Sequence, residues 1–296
     1  MTAIDPQAEL DLEYYRMSNG DLAQHSSDEL AEHFEVFGRK EGRPASPAAL
    51  RENFLELVKQ QPSVLEIGPF CNPCVRGPNV RYFDVLDEGG LNNRAREIGY
   101  PHTQAPHIDF VSPEADLGIV QQQFSAVVSS HCIEHQPDFI RHLMQVDRIP
   151  TDEGRYFIMI PDKRYCFDHF IAESTVAGIV EAFSEKRRKH RLGSVIEHRA
   201  LTTHNDAGRH WRGDHADPGF AASIAARTHM ALAEFERAAG GYIDVHAWQF
   251  TPHSFRINVS TLRELDLIAF EAERVYNTGV GRNEFTAILK KVVPHD

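Results

Sequence analysis

Short apolar runs alternate with helical patterns between residues 60 and 161, and this alternation is the main structural signal in the chain. Strands are predicted at residues 63–67, 80–85, 108–111, 124–129 and 154–160, with a helix at 137–148 after the fourth strand. The uninterrupted apolar stretches at 126–128 and 156–160 are typical of strands that are buried on both faces. Alternating strands and helices predict an α/β fold with a doubly wound, mostly parallel sheet.

The pattern differs on both sides of this core. Residues 8–60 predict several short helices, and residues 162–242 predict helices at 174–192 and 220–239 with a polar, histidine-rich loop between them. Strands at 242–250 and 284–292, separated by a helix at 260–269, bring the predicted sheet to seven strands. The sequence therefore predicts four units: an N-terminal helical module (1–60), the core (61–161), an insertion between strands five and six (162–242) and C-terminal strands that complete the sheet (243–296).

Composition and charge narrow the function classes. The 296 residues are 42% hydrophobic and carry a formal charge of −12, which is typical of a globular protein and argues against non-specific nucleic-acid binding. We expect no signal peptide at the acidic residues 1–5 and no membrane span, because no apolar stretch is long enough. Four cysteines without a disulfide pattern favour a cytoplasmic protein.

Cys71 and Cys74 form a C-x-x-C pair. A redox pair or half of a zinc site is one interpretation. No second pair with ligand spacing accompanies it, and the pair lies inside the turn described next, so we assign no metal there.

The most informative segment is 64–73, where an apolar strand ends at Glu66 and a turn with one glycine, Gly68, follows. A dinucleotide fingerprint needs three glycines, so that the backbone can approach a pyrophosphate. Pro69 and Pro73 also remove backbone N–H donors that phosphates need. The turn therefore favours a nucleoside cofactor without phosphates. Asp84, at the end of the second strand, can accept both ribose hydroxyls. The alternative is that Glu66 and Asp84 only cap helices.

Four segments resemble the successive motifs of class I S-adenosylmethionine-dependent methyltransferases of the type 11 group: 64–68, Asp84, 124–135 (FSAVVSSHCIEH) and 154–161 (GRYFIMIP). The resemblance implies a Rossmann-like fold and S-adenosylmethionine as cofactor. It also implies cofactor-binding roles by position. Glu66, Gly68 and Pro69 would line the methionine side of the cofactor, and Asp84 would bind the ribose. Asp109 and Phe110 would flank the adenine, and Ser130 and His131 would lie near the sulfonium. Polar packing at a helix start is the alternative for His131 and His135.

The histidine-rich block at 198–217 is the predicted catalytic region. If the methyl acceptor is a hydroxyl, a base must take its proton, and histidine suits that role near neutral pH. His204 or His210 is predicted as the base, with Asp206 or Asp214 orienting it, and His131 is the second candidate. A divalent metal held by histidine and aspartate, and a solvated loop, remain alternatives.

Acceptor binding is predicted beyond the fifth strand and in the same block. The candidates are charged or aromatic side chains that can contact a sugar: Arg164, Tyr165, His169, Trp211 and His215. A basic run at 186–191, on a predicted helix, is either a solvated face or a site for an anionic acceptor.

The N-terminal module resembles short helical segments appended to enzymes of surface-polysaccharide assembly. The motifs that carry the resemblance are Tyr14-Tyr15-Arg16, Asn19-Gly20-Asp21-Leu22, His33-Phe34 and 38–43. The predicted function is therefore methyl transfer to an oxygen of a saccharide or related small metabolite. The alternatives for the module are a cap on the sheet or a homodimer contact. The alternatives for the function are a lyase or cyclase using the same cofactor and a non-catalytic scaffold.

Overall fold

A seven-stranded sheet forms the centre of the computed structural model, which describes residues 9–102 and 104–292. The strand order is β3-β2-β1-β4-β5-β7-β6, and β7 runs antiparallel to both of its neighbours. The strands are β1 Val64–Ile67, β2 Val80–Asp84, β3 Phe110–Val111, β4 Phe124–Ser130, β5 Pro150–Pro161, β6 Phe270–Val275 and β7 Glu284–Lys291. The predicted Rossmann-like, mostly parallel seven-stranded α/β fold is confirmed.

Each central strand is buried on both faces. In β1, Leu65 and Ile67 pack in one core, and Val64 packs in the core on the opposite face. Parallel pairing aligns Val64 with Val80 on one side and with Ala126 on the other. Because successive side chains alternate between faces, helices are required on both sides of the sheet.

Eleven α-helices occur in the described residues: α1 Leu12–Ser18, α2 Ser27–His33, α3 Arg39–Glu41, α4 Arg51–Lys59, α5 Glu88–Glu97, α6 Phe139–Val146, α7 Val176–Ser184, α8 Leu192–Ala200, α9 Ala207–Trp211, α10 Phe220–Ala238 and α11 Pro252–Glu264. Short 3₁₀ turns lie at Gly20–Leu22, Pro47–Ala49, Leu117–Ile119 and Ile133–His135, and a π turn lies at Phe34–Gly38. Among these helices, none combines the length and the apolar character that crossing a membrane requires.

The sixth strand differs from the prediction. Residues 242–250 are irregular, and within them only Phe250 forms a bridge, to Asp162, so the prediction of a strand there is wrong. Val245 and Trp248 are buried without sheet pairing, whereas Tyr242 is exposed. The strand lies instead at Phe270–Val275, and the preceding helix begins at Pro252, where Thr251 and Ser254 form a capping box.

The predicted helix at 174–192 is also interrupted. α7 ends at Ser184, and Lys186 has a positive φ of 52°. The basic run at 186–191 therefore lies in the connection between α7 and α8 rather than on a helix.

The N-terminal segment has two parts. Tyr15, Leu30 and Phe34 belong to a small core of their own. Phe54 on α4, in contrast, packs in the core of the sheet with Phe157. The unit boundaries predicted from the sequence, including the one at residue 60, stay predictions, and the packing ties α4 to the sheet.

Candidate active site

A cleft of about 260 Å³ opens at the carboxyl ends of β1, β2 and β4. β1 lies between β2 and β4, so the chain leaves β1 toward one side of the sheet and later returns to the other. Ligands of open α/β sheets bind in the crevice at such a switch point. Three of the predicted site residues line this cleft: Gly68, Asp84 and His131.

The turn after β1 needs its glycine. Gly68 has a φ of +70°, which is costly for any residue with a Cβ, and a Cβ there would lie 3.4 Å from Cys132 Sγ. Its N–H donates to the Phe83 carbonyl at 2.9 Å. The turn is thus hydrogen-bonded to β2 and lies beside Cys132, in the segment after β4.

Asp84 presents a buried carboxylate to the cleft. Its side chain accepts the N–H of Val85 at 2.7 Å on one oxygen and the N–H of Phe70 at 3.3 Å on the other. Burial raises the pKa of Asp84, and these backbone hydrogen bonds partly oppose the effect. Each oxygen keeps a lone pair for a further donor, which is the arrangement that a pair of ribose hydroxyls requires.

Glu66 lies beside the cleft and holds the turn. Its two oxygens accept the N–H groups of Cys74 at 2.7 Å and Val75 at 3.2 Å. Burial raises the pKa of Glu66 to about 7, against the effect of these hydrogen bonds. Its predicted contact with the cofactor stays a prediction, because both oxygens already serve the turn. Burial also raises the pKa of the Cys74 thiol to about 12, which disfavours a reactive thiolate in the C-x-x-C pair.

Other predicted cofactor residues are engaged away from the cleft lining. Asp109 accepts the Tyr82 N–H at 2.9 Å and pairs with Arg81 at 3.4 Å. Ser130 accepts a hydrogen bond from Arg51 at 2.9 Å. Pro69 is buried in the turn and Phe110 packs against the core, so the predicted cofactor contacts of these four residues stay predictions.

His131 is oriented by a carboxylate. Its backbone has a φ of +49°, and its Nε2 lies 2.7 Å from Glu284 Oε2, which also pairs with Arg51 at 2.9 Å. Burial opposes ionisation of the ring, but the bond to Glu284 and the nearby Glu134 raise the pKa of His131. Burial likewise opposes ionisation of Glu284, yet its partners His131 and Arg51 lower the pKa of that carboxyl. The cleft therefore contains a fixed histidine–carboxylate pair.

Several cleft residues were not predicted from the sequence: Phe70, Ala115, Leu117, Cys132, Gln136, His142, Tyr242 and Asp244. His135, for which polar packing was an alternative, also lines the cleft, and its Nδ1 lies 2.9 Å from Asp244 Oδ1. The close approach of His135 lowers the pKa of Asp244 to about 2 although burial opposes this. Asp244 reaches the cleft only because the chain returns there after α10, which no local pattern reveals.

The structure places His204 and His210 away from the residues that line the cleft. His204 Nε2 lies 3.1 Å from the Asp214 carbonyl oxygen, and its Nδ1 accepts the N–H of Asp206 at 3.3 Å. His210 is buried, with Nε2 3.1 Å from the His204 carbonyl oxygen. Burial lowers the pKa of His210. A role for either histidine as base stays a prediction.

The carboxylates expected to orient that base have other partners. Asp206 caps α9 through the Arg209 N–H at 3.0 Å, and Asp214 pairs with the Arg209 guanidinium at 2.7 Å. Neither carboxylate is hydrogen-bonded to a histidine ring in the described residues, so the expected orienting role is not supported.

The aromatic rings among the predicted acceptor residues form two stacked pairs. Tyr165 and Trp211 stack with ring centroids 4.0 Å apart, and Arg164 covers Tyr165 while pairing with Asp162. His169 stacks on His215 at 3.7 Å. These ring faces are used within the protein, and acceptor binding by the group stays a prediction.

Comparisons with known proteins give structural neighbours only. No protein-family model matches the chain, and no curated protein sequence matches it significantly. DhpI in complex with SAH is 13% identical, with a TM-score of 0.40, covering 95% of this chain and 94% of DhpI. The CcbJ methyltransferase from Streptomyces caelestis is 10% identical, with a TM-score of 0.41, covering 84% of this chain and 97% of CcbJ. LaPhzM is 13% identical, with a TM-score of 0.37, and the aligned region covers 92% of this chain but only 61% of LaPhzM. We transfer no residue role from these structures.

Proposed function

We propose that the chain is an S-adenosylmethionine-dependent methyltransferase acting on an oxygen of a saccharide or related small metabolite. The observation that carries the proposal is the Asp84 carboxylate, which lies at the carboxyl end of β2 and faces the cleft beside the glycine turn. A carboxylate at this position suits the two hydroxyls of an adenosine ribose.

The charge of the cleft favours this cofactor over a dinucleotide. Asp84 and Asp244 both line the cleft, and Glu284 lies behind His131. Carboxylates disfavour phosphates and favour a cationic ligand in a site of low dielectric. Pro69 and Pro73 supply no N–H donors for a pyrophosphate. When bound, S-adenosylmethionine supplies an activated methyl group on a positively charged sulfur.

His131 is the base that the geometry favours. An ionised Glu284 can only accept, so Nε2 of His131 carries the proton of their hydrogen bond and Nδ1 can accept another proton. Above the pKa of the ring, Nδ1 takes the proton of the acceptor hydroxyl as the oxygen gains the methyl group. Glu284 then stabilises the imidazolium and fixes its orientation.

The acceptor class is supported by the resemblance of the N-terminal segment to polysaccharide-assembly modules and by the acidic, hydrogen-bonding cleft. Methylated products from a panel of sugars, nucleotide sugars and small hydroxylated metabolites, measured by mass spectrometry with isotope-labelled cofactor, test this part. Formation of methylthioadenosine without S-adenosylhomocysteine would contradict methyl transfer.

Titration calorimetry with S-adenosylhomocysteine tests the cofactor directly. The wild-type chain should bind one molecule, and Asp84→Asn should bind it more weakly. A chain that binds neither S-adenosylhomocysteine nor S-adenosylmethionine would remove the basis of the proposal.

A further inference from the structure

Three side chains with metal-binding atoms meet beside the cleft: Glu134, His135 and His246, here called the cleft cluster. Of the three, only His135 lines the cleft. Glu134 and His135 lie on the 3₁₀ turn after β4. His246 lies on the irregular segment before α11. The Glu134 carbonyl accepts the N–H groups of Ala247 at 2.7 Å and Trp248 at 3.2 Å, so the backbone fixes His246 opposite the turn.

The ligand atoms of the cleft cluster are almost as close to one another as the ligands of a bound metal ion are. Oε1 of Glu134 lies 3.9 Å from Nε2 of His135 and 3.8 Å from Nε2 of His246. All three atoms lie within 4.8 Å of one another. Tetrahedral ligands at typical zinc bond lengths are separated by about 3.3 Å. Small side-chain rotations would therefore close the cluster around an ion.

A second carboxylate lies beside each histidine. Nδ1 of His246 is hydrogen-bonded to Asp168 Oδ2 at 2.6 Å, and Nδ1 of His135 lies 2.9 Å from Asp244 Oδ1 without the geometry of a hydrogen bond. When Asp168 is ionised it only accepts, so Nδ1 of His246 carries the proton and Nε2 keeps its lone pair. Metal-binding histidines characteristically have such a carboxylate partner on the other ring nitrogen.

Glu134 lacks the partners that a buried carboxylate needs. Its side chain is 1% exposed, and neither of its oxygens has a hydrogen-bond partner in the described part of the chain. A buried carboxylate without a hydrogen bond is costly, and the nearest ring nitrogens, on His131, His135 and His246, lie 3.8 to 3.9 Å from Oε1, too far for a hydrogen bond. A cation between the three ligand atoms would satisfy the carboxylate.

Two other groupings suit an ion less well. His169, His210 and His215, here called the loop cluster, also have ligand atoms within 4.8 Å of one another. The rings of His169 and His215, however, stack with an angle of 9° between their planes, so their in-plane lone pairs cannot converge on one ion. In the grouping of Asp168, His198 and His246, Nδ1 of His198 already accepts the His246 N–H at 3.2 Å.

We propose that Glu134, His135 and His246 bind one divalent transition-metal ion at the edge of the cleft. Two imidazoles and one carboxylate suit zinc, manganese or iron better than magnesium and leave coordination positions free. His135 lines the cleft, whereas Glu134 and His246 are buried beside it, so a bound ion lies against the wall of the cleft. A catalytic use of the ion rests on the proposed function, whereas binding of the ion does not.

Metal binding by the full chain tests the proposal. The protein is treated with a chelator, then titrated separately with Zn²⁺, Mn²⁺, Co²⁺ and Mg²⁺ by calorimetry, and the loaded samples are analysed by mass spectrometry for elemental content. We expect one Zn²⁺, Co²⁺ or Mn²⁺ per chain, with Mg²⁺ weakest. A wild-type chain that binds none of the transition metals overturns the proposal.

Matched variants locate the ion. Glu134→Gln keeps the shape of the side chain, and Asp244→Asn removes only the partner of His135. Loss of this partner should weaken binding by about 10–100-fold, and Glu134→Gln should weaken it further. His229→Ala, which removes an exposed histidine from α10, should bind as wild type does. Unchanged binding in Glu134→Gln, or a loss in His215→Ala instead, places the ion elsewhere and overturns the proposal.

Folding and cofactor binding are measured on the same variants. A thermal melt and a titration with S-adenosylhomocysteine, both without metal, show that Glu134→Gln is folded. A chain that binds metal but no S-adenosylhomocysteine contradicts the proposed function and leaves the metal site intact. The reverse result contradicts the metal site alone.

Discussion

The cleft cluster and the loop cluster have almost the same composition and the same compactness, but their surroundings differ. In the cleft cluster, Asp168 is hydrogen-bonded to Nδ1 of His246, Asp244 lies 2.9 Å from Nδ1 of His135, and the Glu134 carboxylate has no hydrogen-bond partner in the described residues. In the loop cluster, backbone carbonyls accept from the rings: His169 Nδ1 lies 2.8 Å from the Arg164 oxygen, and His210 Nε2 lies 3.1 Å from the His204 oxygen. The third ring, His215, stacks on His169.

This difference shows that proximity of ligand-type residues does not define a site. The loop cluster satisfies itself by stacking and by hydrogen bonds to the backbone, so nothing in it requires a ligand. The cleft cluster contains a buried carboxylate that has no hydrogen-bond partner in the described residues. Chemistry is therefore expected on the cleft side of the molecule.

The largest expected effect comes from the base on the cleft side. His131→Ala should lower kcat by about 10²–10⁴-fold without changing S-adenosylhomocysteine affinity, because the ring moves a proton and does not hold the cofactor. Steady-state kinetics and calorimetry measure the two quantities. The exposed His229→Ala is the control. If His204→Ala or His210→Ala shows the large loss of kcat and His131→Ala does not, the catalytic base lies in the histidine-rich block and not in the cleft.

The comparison also requires the cofactor to lie at the same edge as the cleft cluster. Asp84→Ala should weaken S-adenosylhomocysteine binding by about 1–3 kcal/mol, because hydroxyl donors lose their acceptor. Calorimetry on the wild type and the variant gives this difference. Equal affinities would reject the ribose role of Asp84.

A third test uses the buried His142 at the cleft. Burial lowers its pKa from 6.5 to about 4, and its Nε2 lies 3.1 Å from the Tyr156 hydroxyl. Between pH 6.5 and about 4 the unfolded chain binds a proton that the folded chain does not, so stability falls as the pH falls. In this range, His142 contributes up to about 1.4 kcal/mol per pH unit to the change of the free energy of unfolding with pH. Denaturant unfolding at several pH values should show that this free energy changes less with pH in His142→Gln than in the wild type. Equal pH dependences would contradict the lowered pKa of His142.

The smallest effect is expected in the loop cluster. His215→Ala removes the stacking partner of His169 and should lower the free energy of unfolding by about 0.5–1.5 kcal/mol, the usual value of an aromatic pair. Denaturant unfolding measures it. A loss well above this range, together with stabilisation of the wild type but not of the variant by added Zn²⁺, would show that the loop cluster holds a metal after all.

The sequence predicted the parallel half of the sheet because its strands are continuous apolar runs. β4 begins at Phe124, as expected, and β5 contains the expected 154–160. β6 was missed because Phe270–Val275 lies at the sheet edge, has only its two end residues buried and contains charged residues between them, whereas 242–250 is more apolar. Apolar content reports burial, and burial does not require strand pairing.

The candidate site was predictable only where it follows from local order. Gly68, Asp84 and His131 each lie at or just after the end of a strand, so a parallel sheet brings them to one edge. Glu134 and His246 are separated by more than a hundred residues, and a loop return places them together. No spacing rule reveals this contact, so the catalytic residues were predicted in the histidine-rich block at 198–217 instead.

Arg51 gives the N-terminal helices an unexpected importance. It extends from α4 to pair with Glu284, the residue that orients His131, and it also donates to Ser130. A chain cut at residue 60 would lose this guanidinium along with the helix that carries it. An inactive core fragment would then say nothing against the chemistry of the intact protein, because the apparent appendage supplies part of the electrostatic environment of the catalytic ring.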